Sequence, residues 1–265
     1  MKMWGLLKSW PARFTALGTV AVLAGSIALP ATAMAAPVKT CDLACVIAFG
    51  DQRIAVRETA LTNLSTRLND HLTKGRLTSA QAAPIQNDIS TDEAALTALK
   101  AKIDADTTVA AARADVKSIY TQYRIFAVVL PRDYRMMWID IMTNIDQKLR
   151  SLQPKIDWAI AHAPASEQAQ LNQWYSDFRA QLSEAESQLD AAHGQMGTLT
   201  VANFNSDRSV YESALTDLKG DLQTAHRDIK QAAGDLHQIV RMLKSNESGT
   251  SSTTTNPAAT ATANS

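Results

Sequence analysis

SDRSVYESALTDLKGDLQTAHRDIKQAAGDLHQIVRMLK, residues 206–244, carries its apolar groups at Tyr211, Leu215, Leu218, Leu222, Ala225, Ile229, Ala232, Leu236, Ile239 and Leu243. The steps alternate between four and three without a slip. On a helix of about 3.6 residues per turn this draws one narrow stripe, which is buried only when neighbouring helices cover it. Asn205 or Ser206 can cap its start. At ~1.5 Å per residue the helix is roughly 55 Å long, so the stripe predicts an all-α, elongated antiparallel bundle or coiled coil.

Upstream the same spacing recurs. Ile54, Leu61, Leu64, Leu68 and Leu72 mark a first helix that stops at Lys74-Gly75, and Ile85, Ile89, Leu96, Leu99 and Ile103 mark a second. Thr78 and Gln81 form a capping box at the start of the second, and Pro84 is tolerable that near a helix start. The phase slips at Asp104–Thr107, where the chain either kinks or breaks, and Asp106 or Thr107 can cap the next helix. That third helix runs through Val109, Ala112, Val116, Tyr120, Tyr123, Phe126 and Leu130 to Pro131, which ends or bends it. A fourth carries Trp138, Ile141, Ile145, Leu149, Leu152, Ile156 and Ile160 with a kink at Pro154. After the turn Ala163–Ser166 a fifth carries Leu171, Trp174, Phe178, Leu182, Ala185, Leu189 and Ala192 and ends at His193-Gly194, with Gly194 in the left-handed terminal position. A loop through Phe204 precedes the sixth. Between Gly75 and Gly194 there is no glycine, and no run of alternating polarity suggests a strand.

The 265 residues are 46% hydrophobic and 20% charged, with basic and acidic groups in balance and only two cysteines. That composition excludes collagen-like, disulfide-dense and wholly disordered classes. Lys2, Lys8 and Arg13, the apolar run Phe14–Leu29, Pro30 and Ala33-Met34-Ala35 read as a secretory signal over residues 1–35, cleaved before Ala36. Without it the chain has no membrane span, and 23 basic groups against 26 acidic ones leave a net charge of −3. Export to the cell envelope or beyond is therefore expected, and nucleic acid is not an expected partner. Residues 36–50 form an N-terminal segment holding Cys41 and Cys45, whose spacing suits a local bridge or one crosslink to another chain but not a Cys-x-x-Cys redox centre. Residues 51–130 make a first helical part and 131–244 a second, and 245–265 read as a disordered Ser/Thr/Ala-rich tail.

Signals for catalysis are sparse. Asp190-x-x-His193 lacks the second pair that a carboxylate-bridged metal site needs, and His71, His162, His226 and His237 read as solvated. Asp104, Asp106 and Asp115 faintly echo a calcium loop, but Val109 stands where the sharp bend needs glycine. No nucleophile elbow, phosphate loop or dinucleotide fingerprint occurs. The expectation is a non-catalytic protein without cofactor or metal.

One region is compositionally distinct. Tyr120, Tyr123, Phe126, Tyr134 and Trp138 are five of the 12 aromatic residues outside the signal, and Arg113, Lys117, Arg124, Arg132 and Arg135 face only Asp115 and Asp133, a local net charge of +3. Rings with guanidinium groups are typical binding material. Either the rings fill the core where the chain bends at Pro131 while the basic groups meet water, or Tyr120, Tyr123, Arg124, Phe126, Arg132, Tyr134, Arg135 and Trp138 form a patch. Such a patch would take a protein segment or an anionic cell-envelope polymer. Ile125–Leu130 is too short an apolar run to insert in a membrane alone. The narrow stripes also make a homo-oligomer plausible.

Leu77-Thr78-Ser79-Ala80-Gln81, with an imperfect second copy at Leu199-Thr200-Val201-Ala202-Asn203, resembles the Leu-Thr-x-x-Gln motif of the Spy and CpxP periplasmic chaperone and stress-sensor proteins. The resemblance covers five residues and implies ATP-independent binding of unfolded clients on a concave helical surface. The long heptad seams and the Ser/Thr-rich tail depart from that family.

Overall fold

The start of the first helix shows how local chemistry sets its boundaries. Asp42 accepts from the backbone N–H of Cys45 at 2.9 Å, so α1 (Leu43–Thr73) begins well before residue 51, inside the segment expected to stand apart. Burial at its amino end explains the extension: Val46 and Gly50 belong to the packed face. A Cβ on Gly50 would lie 2.8 Å from Cγ2 of Val116, so only glycine allows that approach. Cys41 and Cys45 are both disulfide-bonded. Gly75, at φ +61°, ends α1.

The computed structural model describes residues 41–250, with side chains through Ser245, and the unit described begins at Asp42. The expected signal, residues 1–35, and the tail from residue 251 lie outside the described residues. The fold is all-α, with helices along each of the expected apolar stripes. α2 (Ser79–Asp104) opens with the capping box, Thr78 accepting from Gln81 N and Gln81 accepting from Thr78 N. A full break comes after it. Thr108, rather than Asp106 or Thr107, caps α3 (Val109–Ser118) by accepting from Ala111 N. The third helix does not reach Pro131: after Ser118 come two π-helical turns, Ile119–Tyr123 and Ile125–Val129, separated by Arg124 at φ 47°. Pro131 starts α4 (Leu130–Arg150), where its missing N–H is not needed. Likewise Pro154 does not kink a helix but opens α5 (Gln153–Ala161) after a break at Ser151-Leu152.

α6 (Ala165–Met196) runs past His193-Gly194, and Gly194 is an ordinary helical residue; among the described glycines only Gly75 has positive φ. The expected loop contains a short helix, α7 (Val201–Ser206), capped by Thr200. α8 spans Arg208–Thr250, beyond the Lys244 expected, and Asp207 rather than Asn205 or Ser206 caps it by accepting from Val210 N.

Two helical packings share α4. In the first, α1 and α2 form an antiparallel hairpin, with Lys100 near the end of α2 bonded to Asp51 near the start of α1 at 2.8 Å. α3 and α4 run alongside α1, their register fixed by Val116 against Gly50, Tyr134 against Arg67 and Trp138 against His71. In the second, α4 and α5 pack antiparallel to α6, and α8 packs along α6. Its core is Leu171, Tyr175, Phe178, Leu182, Ala185 and Leu189 of α6 against Tyr211, Leu218, Ala225, Ile229, Ala232, Leu236 and Ile239 of α8, with Ile139, Met142 and Leu149 supplied by α4. In α4 the buried groups include Met137 and Ile139, while Trp138 and Ile145 are half-buried. α4 thus has packed neighbours on several sides and carries buried aspartates at Asp133 and Asp146.

Candidate functional site

The π turns sit where the rod α3–α4 passes from one set of partners to the other. An α-helical register through Val116 and Ile119 would bury Tyr123 and Phe126 next. The π turns shift that phase, and Ile125, Val128, Val129 and Leu130 become buried instead, leaving Tyr120, Tyr123 and Phe126 half-buried at the edge. The Leu130 N–H reaches the Ile125 carbonyl, five residues back. Arg124 is the one non-glycine of positive φ among the described residues, a conformation that costs roughly 1–2 kcal/mol. Its side chain secures the bend: Nε donates to Oδ1 of Asn205 at 3.0 Å, the guanidinium lies 4.8 Å from the Phe204 ring centre, and Asn205 Nδ2 donates to the Thr121 carbonyl at 2.7 Å.

The residues of the candidate patch meet several partners, and four of them meet α1. Tyr120 and Phe126 close over Arg57 of α1, whose Cζ lies 4.7 and 5.2 Å from their ring centres. Tyr123 borders a groove of about 430 Å³ with Lys102 and Asp115, which are joined by an ion pair of 2.8 Å. Tyr134 lies under Arg67, and Trp138 meets His71 edge-on at 6.2 Å. His71 is therefore half-buried rather than solvated, and burial lowers its pKa. Arg135 donates to the Pro131 carbonyl at 2.7 Å, and its burial lowers its pKa.

Arg132 is the centre of the most perturbed cluster. It bonds Asp88 of α2 at 2.5 Å and Asp133 at 2.9 Å, with Asp92 nearby on α2. Burial works against its charge, but Asp133 and Asp88 outweigh that and its pKa rises. Asp133 is wholly buried; desolvation pushes its carboxyl up to about 7 against the pull of Arg132, and its Oδ2 has no hydrogen-bond partner. Burial likewise raises Asp92 to about 6, and Asp140, which faces His193 of α6, to about 6.

A second open groove, about 720 Å³, lies between α4–α5 and α6 and is lined by Arg150, Gln153, Asp157, Asn172, Tyr175 and Arg179 among others. Arg150 is already bound to Asp146, Glu186 and the Leu182 carbonyl. Burial and a hydrogen bond with Asp157 raise the Tyr175 phenol to about 12. Among the described residues no group of three or more His, Cys, Asp or Glu is disposed to hold a metal ion, and no helix is long and apolar enough to cross a membrane.

Arg57, Arg67, Asp88 and Asp92 were not marked by the sequence, and Asn205 was marked only as a helix cap. For Arg57 a signal existed: it stands at the seam position between Ile54 and Leu61, where a charge needs special surroundings. Asp133 occupies the same kind of position between Leu130 and Met137. No protein-family model, no curated protein and no solved structure matches the chain.

Proposed function

We propose that this chain is an exported, non-catalytic helical protein that acts at the cell envelope as a structural spacer, holding two helical bundles in fixed register through α4. The observation that carries this reading is where the arginines and aromatic rings of the 120–138 region go. Arg132 ties α4 to α2, Arg124 ties the bend to α7, Tyr120 and Phe126 enclose Arg57 of α1, and Tyr134 and Trp138 meet Arg67 and His71 of α1. Groups that suit ligand recognition are used to fasten one helix to several others, which serves stiffness.

The chaperone resemblance leads to a different expectation. Thr78 and Thr200 both act as helix caps, which accounts for their residues without a client. One assay separates the two readings. As a spacer, the purified mature chain leaves the aggregation of a heat-denatured test enzyme unchanged at equimolar ratio and is retained with the envelope fraction of its own cells. Suppression of aggregation, or recovery only from the cytoplasm, would overturn the spacer reading.

A further inference from the structure

The recess of about 720 Å³ between α4–α5 and α6 is lined on both sides by polar groups in helical register. On α6, Asn172, Ser176, Arg179 and Ser183 stand at steps of four, three and four, which set them in one row. Opposite them come Gln153 and Asp157, four apart on α5, and Arg150 at the end of α4. The two rows run antiparallel: Arg150 donates to the Leu182 carbonyl, and Asp157 hydrogen-bonds the phenol of buried Tyr175. The recess thus has a basic end beside Ser183 and an acidic end beside Asn172. Among the described residues, the side chains of Gln153, Asn172, Ser176, Arg179 and Ser183 make no hydrogen bond or ion pair within the chain. Ser118, Ser151 and Ser206, by contrast, donate their hydroxyls to nearby carbonyls in the chain. The Arg179 guanidinium rests 5.7 Å from the Tyr175 ring centre without an acid partner. Arg150 spends Nε and Nη2 on Asp146, Glu186 and the Leu182 carbonyl, which leaves its Nη1.

We propose that this recess binds an oligosaccharide bearing a carboxylate, with its hydroxyls on the amide, hydroxyl and Asp157 groups and its carboxylate on Arg179. The class of ligand follows from the donors and acceptors. Side-chain amides and hydroxyls both donate and accept, as a sugar hydroxyl does, and the Asp157 carboxylate accepts from one. A simple anion only accepts, so it would leave the amide oxygens and the acidic end unmatched. An apolar ligand has no counterpart, because no large aliphatic side chain lines the recess. The free guanidinium fork of Arg179 is matched by the two oxygens of a carboxylate, with the spare N–H groups of Arg150 at the same end. The volume is within the range of small-molecule sites, about 300–1,000 Å³. The same chemistry is offered by a uronic acid oligosaccharide and by the muramic acid units of a wall glycan. The site does not rest on the spacer reading: it uses none of the groups between Tyr120 and Trp138.

Isothermal titration calorimetry on the mature chain tests the site. Trigalacturonate is the probe in one arm and the disaccharide of N-acetylglucosamine and N-acetylmuramic acid in the other; maltotriose, which has hydroxyls but no carboxylate, is the control. Saturable heat with a dissociation constant of about 1 mM or tighter is expected in at least one acidic arm, and the arm that responds identifies the source. Maltotriose should bind about tenfold more weakly, the worth of a charge-assisted hydrogen bond. Arg179→Gln should weaken the acidic probe by about the same factor, and Asn172→Ala by about threefold. Both side chains are exposed and make no hydrogen bond within the chain, so the helical signal in circular dichroism should be unchanged. Absence of saturable heat in both acidic arms, maltotriose binding as tightly as the acidic probe, or unchanged affinity in the Arg179→Gln variant would overturn the proposal.

Discussion

Replacing Asp133 by asparagine tests the electrostatics of the shared helix. The carboxyl of Asp133 is wholly buried and raised from 3.8 to about 7, desolvation outweighing Arg132. Below about pH 4 the group carries a proton in both the folded and unfolded chain and does not affect stability. Between about pH 4 and 7 the unfolded chain has released that proton while the folded chain keeps it, so stability falls as pH rises; above the folded value the loss is complete. The gap is equivalent to about 4 kcal/mol. Asp92 and Asp140, each raised to about 6, act in the same direction over the lower part of that range. Asp70 and Asp207 are held below the ordinary value by hydrogen bonds, so their contribution is lost only at pH below about 4; His71, lowered by burial, opposes the trend below its ordinary value of 6.5 but is one group against three. Asparagine keeps the shape without titrating, and Arg132 keeps Asp88. Urea denaturation followed by circular dichroism at pH 5, 6, 7 and 8 should show the parent chain most stable at pH 5. The variant should have a shallower slope and match or exceed the parent at pH 8. A parent whose stability is flat or rises from pH 5 to 8, or a variant with the parent's slope, would refute the reasoning.

Substitutions at three further positions probe the local devices of the fold. Gly50→Ala drives a methyl to 2.8 Å from Val116 and 3.3 Å from Ile103, and thermal melts should show destabilisation of about 1–3 kcal/mol. Thr78→Ala removes the acceptor for Gln81 N and should cost about 1 kcal/mol in the same assay, with the loss of helicity confined to the start of α2. At Arg124, glycine and alanine both delete the contacts to Asn205 and Phe204, but only glycine tolerates φ 47°; the glycine variant should be more stable than the alanine variant by about 1 kcal/mol, and equal stabilities would show that the bend relaxes.

The stripes of leucine and isoleucine made the helices and their antiparallel pairing legible, because a repeat of three and four leaves few other ways to bury those side chains. Thr78 with Gln81 and Gly75 were legible for the same local reason: each satisfies or frees backbone groups at a helix end. The π turns were not. Ala112, Val116, Ile119, Tyr123, Phe126, Leu130, Asp133 and Met137 keep an unbroken heptad in sequence, and the phase shift between Ile119 and Leu130 comes from tertiary contacts with α1 and α7, which periodicity does not encode. The aromatic and basic richness of the 113–138 region was visible, but whether its rings face water or other helices depended on Arg57, Arg67 and Phe204, residues distant in sequence. Asn205, Ser206 and Asp207 are all good caps, and only the placement of α7 decides between them.

Amide hydrogen exchange, resolved to short peptides, bears most directly on the claim that two bundles are locked together through α4. Exchange should be slowest over residues 137–149, where α4 packs against elements of both bundles, and faster over 119–129, where π turns weaken the hydrogen-bond ladder. Exchange at 137–149 as rapid as in α3, with the α1–α2 and α6–α8 pairs protected independently of it, would contradict the account.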